Sequence, residues 1–73
     1  MLTIYGKKEC PYCQMAIQYC HNNNIEFQYY SVEEYPSIRD LIYEAGRRTF
    51  PCIFDGSELI GGYEELVDTY SLF

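Results

Sequence analysis

"ECPYCQ", residues 9–14, decides how the rest of this 73-residue chain is read. Two cysteines three positions apart enclose a proline and a tyrosine. Proline suits the first turn of a helix, where its missing N–H costs no hydrogen bond. A helix starting at Pro11 aligns Cys13, Ala16, Ile17 and Cys20 at i, i+3, i+4 and i+7, one apolar stripe. "HNNN", residues 21–24, ends that helix with polar, turn-favouring residues. Cys10 therefore stands at the mouth of a helix, and Cys13 lies one turn inside it.

Upstream, "LTIY" (2–5) is short, apolar and β-branched, and reads as a strand that Gly6 and the charged "KKE" close. Downstream, "IEFQYY" (25–30) alternates apolar and polar residues and reads as a second strand. "SVEEYPS" is a loop whose Ser37 can cap the next helix. In that helix Ile38, Leu41, Ile42 and Ala45 form the stripe, and Gly46 is a plausible stop. "FPCIF" and "ELIGG" bracket "DGS" (55–57), and Asp-Gly between such runs is a strong hairpin signal. "YEELVDTYSLF" fits a last helix with Leu66, Val67 and Tyr70 inward. Glu64 and Glu65 suit the positive end of its dipole.

The order is β-α-β-α-β-β-α. A helical crossover makes the first two strands parallel, with right-handed connection, and the hairpin makes the last two antiparallel. The expected fold is an α/β domain over residues 1–73, a four-stranded mixed sheet with three helices. A chain of this length supports one small domain.

Composition narrows the function. The net charge is −6, a poor match to nucleic-acid binding, which needs cations to displace counterions. No apolar run approaches the ~18 residues of a membrane span. "MLTIYGKKEC" carries its charges after a short apolar run, unlike a secretory signal, so a cytoplasmic protein is expected. There a close cysteine pair is more often catalytic or metal-binding than structural. The cations cluster: Lys7 and Lys8 precede Cys10, Arg47 and Arg48 precede Pro51, and only Arg39 stands apart.

Three chemistries compete for the pair. Zinc needs four ligands, but a helix rising about 1.5 Å per residue carries Cys20 about 15 Å from Cys10, and His21 further. A cysteine hydrolase needs a base within hydrogen-bond reach, and the one histidine, His21, is too far down the same helix. Thiol–disulfide exchange asks only for what is present. Unpaired N–H groups and the helix dipole stabilise a Cys10 thiolate. Lys7 and Lys8 add positive charge, against which Glu9 acts. The Cys10 pKa is expected below the free value of about 8.5. Cys10 is expected to be the exposed, attacking thiol and Cys13 its buried partner.

"CPYC" (10–13) resembles the signature of the dithiol glutaredoxins. "TFP" (49–51) is similar to that family's Thr-X-Pro motif, whose proline is cis. "GGYEE" (61–65) resembles its Gly-Gly-X-Asp/Glu motif, and Lys7 stands where the family has a lysine. The likeness spans essentially the whole chain and implies a minimal thioredoxin fold.

It also implies a glutathione-dependent thiol–disulfide oxidoreductase, with Cys10 as nucleophile and Cys13 as resolving thiol. The implied glutathione contacts are Lys7, Tyr12, Thr49, Phe50, Pro51, Gly62, Tyr63 and Glu64. Phe50 would offer its backbone to the tripeptide's cysteine as an added strand does. Gly62, Tyr63 and Glu64 would meet its γ-glutamyl end. Glutathione is then a co-substrate, and no cofactor or metal is held tightly. Implied partners are glutathionylated or disulfide-containing proteins, ribonucleotide reductase among them, met by a monomer. A positive rim from Lys7, Lys8, Arg47 and Arg48 would steer the anionic tripeptide inward.

The chain departs from the family in three places. Glu64 stands where Asp is common, Phe50 replaces the usual valine, and Cys52 follows the proline. Cys52 reads as a small buried residue of a strand, like Cys20 on its helix. Two relatives of different chemistry stay open: an iron–sulfur carrier, against which Pro11 argues, and a donor recharged by a flavoprotein reductase.

Overall fold

The computed structural model describes residues 1–71. Its elements are β1 (Leu2–Gly6), α1 (Pro11–Asn22), β2 (Phe27–Ser31), α2 (Ile38–Glu44), β3 (Cys52–Asp55), β4 (Glu58–Gly61) and α3 (Tyr63–Tyr70). This is the order read from the sequence. Leu72 and Phe73, the end of the expected last helix, lie outside the described residues.

One sheet runs β2-β1-β3-β4. β1 pairs with β2 in parallel, Leu2 opposite Phe27, and with β3 antiparallel, Ile4 opposite Ile53. The hairpin closes from Asp55 to Glu58 across Gly56, whose φ of 63° is the left-handed conformation a tight turn uses. The register shifts between Ile53 and Phe54, a bulge near the start of β3.

Alternation along β1 separates two cores. Leu2 and Ile4 face α1 and α3 and pack with Ala16, Cys20, Ile53 and Leu66. On the other face α2 contributes Ile38 and Ile42, which pack with Val32 and Cys52 beside Tyr5, Phe50 and Phe54. Leu66 is fully buried, so Leu66→Ala is expected to cost about 2–5 kcal/mol. In α3, Val67 and Tyr70 are half-buried beside it.

Three expectations need correction. Ser37 occupies the N-cap of α2, but its side chain makes no capping bond. Backbone carbonyls of Tyr35, Pro36 and Ser37 accept from Ile38, Arg39 and Asp40, so the first N–H groups are already satisfied. Leu41 is 38% exposed rather than core, because the buried side of this two-turn helix is taken by Ile38 and Ile42. The second strand starts at Phe27, not Ile25. Asn24 turns with φ 55°, and the Ile25 N–H still donates to Cys20 at the end of α1.

Candidate active site

β1 ends at Gly6, and residues 7–9 carry the chain to α1. A Cβ on Gly6 would lie 2.8–2.9 Å from Tyr29 and the Cys13 sulfur, so only glycine lets the strand end this close to the dithiol. Glu9 then takes φ 58°, a left-handed turn that sets Cys10 as N-cap of α1 with extended backbone and Pro11 in the first turn. The Cys10 carbonyl accepts from Gln14 N–H at 3.2 Å.

Cys10 is not the exposed thiol that was expected: only 6% of it is accessible. It sits beneath the loop before β3, and its thiol meets the Phe50 carbonyl at 3.8 Å. Cys13 is fully buried. Burial pushes its thiol up to about 12, with a hydrogen bond shared with Cys10 adding to the rise and the Lys7 backbone N–H opposing it. Cys13 therefore keeps its proton at neutral pH. The contrast expected between the two thiols survives only as a small difference in residual access. All four cysteines are free thiols. Cys20 and Cys52 lie in the two cores, their thiols also raised by burial.

Opposite Cys10, the Phe50–Pro51 bond is cis. Proline makes that isomer accessible, and Pro51 is buried. The Lys7 ammonium lies 5.9 Å from the centre of the Phe50 ring. From Phe50 a groove of about 400 Å³ runs past Thr49, Pro51 and Tyr12 to Gly62, Tyr63 and Glu64 at the start of α3. Tyr12 and Tyr63, ring centres 6.2 Å apart, form one wall. On the other side of Phe50, a depression of about 420 Å³ contains Lys7, Cys10 and Pro11 with Glu9, Arg39 and Arg48.

All ten residues singled out in the sequence thus lie at or beneath these two hollows, which share Thr49 and Phe50. Lys8 does not: it lines neither, and its backbone N–H donates to Glu33. Arg39, isolated in the sequence, takes its place among the cations beside Cys10. Its position follows from α2, whose first residue, Ile38, packs in the core that also receives Phe50. Glu65 was read only as a dipole partner. Its carboxylate accepts from Gly62 N–H at 2.7 Å and stands 3.7 Å from Arg47. The spacing of Glu65 three residues after the N-cap is the signal that could have found it.

Among the described residues, no three His, Cys, Asp or Glu side chains gather as a metal-binding set.

A dithiol at the head of α1, faced across a cleft by a cis-proline loop, defines a thiol–disulfide oxidoreductase of the thioredoxin fold. A model of the glutaredoxin family matches residues 2–60, and the chain belongs to that family. It is 34% identical over 66 residues to glutaredoxin 3 of Escherichia coli K12, covering 89% of this chain and 80% of that one. Among solved structures, glutaredoxin 1 from Francisella tularensis, complexed with cacodylate, superposes with a TM-score of 0.80 at 30% identity. That match covers 97% of this chain and 92% of the other. The buckwheat glutaredoxin–glutathione complex shares the fold, with a TM-score of 0.84 at 23% identity over 96% of this chain and 67% of the other.

Proposed function

We propose that this protein reduces glutathione mixed disulfides and protein disulfides, with glutathione as the source of electrons and Cys10 and Cys13 as the redox couple. One observation carries the reading: two hollows of different charge meet at Phe50, beside Cys10. Glutathione has a carboxylate at its glycine end, a thiol in the middle and an α-amino acid head at the other end. The hollow with Lys7, Arg39 and Arg48 suits the glycine carboxylate. The Phe50 backbone suits the cysteine, and the groove toward α3 suits the γ-glutamyl head. That a buckwheat relative of the same fold is known in complex with glutathione supports this assignment.

In the proposed cycle the Cys10 thiolate attacks the glutathione sulfur of a mixed disulfide. The protein thiolate leaves and takes a proton from solvent, and a Cys10–glutathione disulfide remains. A second glutathione thiolate attacks its glutathione sulfur, releasing oxidised glutathione and restoring the Cys10 thiolate. With a protein disulfide, Cys10 bonds to one sulfur and frees the other. Cys13 then loses its proton and attacks Cys10, freeing the second protein thiol and leaving Cys10–Cys13 as a disulfide. Two glutathiones return it to the dithiol and leave as one disulfide. Family couples near −200 to −230 mV, roughly, lie within reach of the cytosolic glutathione pool. We place the protein in that compartment, as a monomer, with ribonucleotide reductase as one protein substrate on the strength of the family resemblance.

The test offers the protein a disulfide substrate with two recycling systems, glutathione with glutathione reductase or thioredoxin reductase alone. Sustained turnover with the first and none with the second is expected. The reverse pattern would overturn the glutathione reading and favour a flavoprotein-recharged donor.

A further inference from the structure

The cations continue past the two hollows assigned to glutathione. Two further depressions, of about 210 and 290 Å³, follow α2 and the turn after it. The first shares Arg39, Arg48 and Phe50 with the Cys10 hollow. The second shares Tyr43, Arg47 and Arg48 with the first and reaches Gly46. Together they form one track from Cys10, past Phe50, to the C-terminal end of α2. Tyr43 stands on it 71% exposed, the most exposed large apolar side chain among the described residues. Neither glutathione hollow contains Tyr43.

Local structure builds this track. Arg39 and Tyr43, four residues apart, share one face of α2, while Ile38 and Ile42 hold the helix to the core. Gly46, with φ 78°, turns the chain, and the Arg47 N–H donates back to the Ile42 carbonyl at 3.0 Å. That turn sets Arg47 and Arg48 beside Tyr43. The negative end of α2 accounts for cations after Gly46, but Arg39 lies in the first turn, where the dipole disfavours a cation. Among the described residues the one ion pair joins Arg47 to Glu65, so the exposed Arg39 and Arg48 carry unpaired charge. The acids of α2 stand aside. Asp40 lines none of the three depressions, and Glu44 lines a separate one with Leu41 and Phe54. Glu9 is the one acid on the track.

Four of the five cations thus share one track in a chain with eleven acids. An acidic partner is repelled by the rest of the surface, so the track fixes both where it lands and how it is oriented. We propose that the track docks an extended acidic segment next to the reactive cysteine of a protein disulfide. Its carboxylates meet Arg39 and Arg48, whose guanidinium forks suit them, and an apolar side chain lies against Tyr43. This rests on the protein-disulfide activity proposed above and names the protein substrates that activity selects.

The experiment uses three peptides with the same intramolecular disulfide, differing only in an arm of four Glu, four Gln or four Lys beside it. Second-order rate constants for their reduction by the dithiol protein are measured for wild type, Tyr43→Ala and Tyr43→Glu, at low and high salt. Turnover of the cysteine–glutathione mixed disulfide is the control. Wild type is expected to reduce the Glu-arm peptide about tenfold faster than the Gln-arm peptide at low salt, as electrostatic steering allows. The Lys arm should be slowest, and the Glu-arm advantage should shrink at high salt. Tyr43→Glu should cut that advantage about fivefold by like-charge repulsion and leave the glutathione control within about twofold. Tyr43→Ala, which adds no charge, should cut it about twofold through the lost ring contact. Equal rates on all three arms, a Lys-arm advantage, or a Glu-arm advantage that survives Tyr43→Glu would overturn the docking track. Equal falls on the Glu-arm peptide and the glutathione control would also overturn it, by merging Tyr43 with the glutathione site. Equal rates on the arms together with inhibition by a single-stranded oligonucleotide would reassign the track to nucleic acid. Wild type that reduced none of the three peptides would instead overturn the protein-disulfide activity itself.

Discussion

The two hollows beside Phe50 differ in charge and in how they are built. The one holding Cys10 gathers Lys7, Arg39 and Arg48 around a single acid, Glu9. The one reaching α3 sets Arg47 against Glu64 and Glu65. Five cations in a chain of net charge −6 would be unremarkable if scattered, but four of them line these two surfaces. Their placement teaches that local charge, rather than net charge, decides what such a protein attracts. An acidic molecule can present a cationic entrance to an anion, because screening over a Debye length of about 8 Å at physiological salt mutes the acids further off.

The sharpest way to break the comparison is to remove the chemistry the two hollows share. Cys10→Ser is expected to abolish turnover of both substrate classes. Cys13→Ser should keep deglutathionylation and lose protein-disulfide reduction, because only the second needs a resolving thiol. Equal losses in the two variants, measured in parallel assays, would refute that division.

Next in size is an effect on the ground beneath the hollows. Gly6→Ala forces a Cβ against Tyr29 and Cys13 and should cost about 1–3 kcal/mol, as overpacking does. Denaturant unfolding measures it, and an unchanged midpoint would mean that Tyr29 moves freely aside.

The cationic hollow is probed by Arg48→Glu. The KM for glutathione should rise about fivefold or more at low ionic strength and less at high salt, since the attraction is screened. A rise that ignores salt would point to lost packing rather than lost charge.

Smallest is the effect of alkaline pH on stability. A thiol whose folded pKa is raised holds its proton longer in the native state than in the unfolded one. Its contribution is complete below the unfolded value and fades as pH rises toward the folded value. For Cys13 that window runs from 9.0 to about 12. Melting temperature should therefore fall across this range, and less so in Cys13→Ser. An identical fall in both would assign the loss to other groups.

How much of this was legible in the sequence depended on range. Pro11 and the Cys13–Ala16–Cys20 stripe fixed α1, and Asp55-Gly56 fixed the hairpin, because each signal is local. The short apolar, β-branched run "LTIY" marked β1 in the same way. What was not legible arises between elements distant in the chain. Cys10 is covered by Phe50, forty positions on, so its low exposure could not be read from its own neighbourhood. Arg39 joins the site only because α2 packs beside the loop of Phe50. Leu41 fits the helical stripe, yet its seven-residue helix buries only Ile38 and Ile42. Glu9 looked like a charge opposed to the thiolate with no role. Its left-handed backbone shows that it serves as the turn placing Cys10 at the head of α1.

The central claim is that one tripeptide spans both hollows. Backbone NMR of the Cys13→Ser protein, before and after forming the Cys10–glutathione disulfide, tests it directly. The account expects shifts at Arg48 and Thr49 on one side and at Tyr63, Glu64 and Glu65 on the other. The depression formed by Tyr5, Leu41 and Phe54 should stay unchanged. Shifts confined to the residues around Cys10, or appearing at Leu41 and Phe54 instead of at α3, would contradict it.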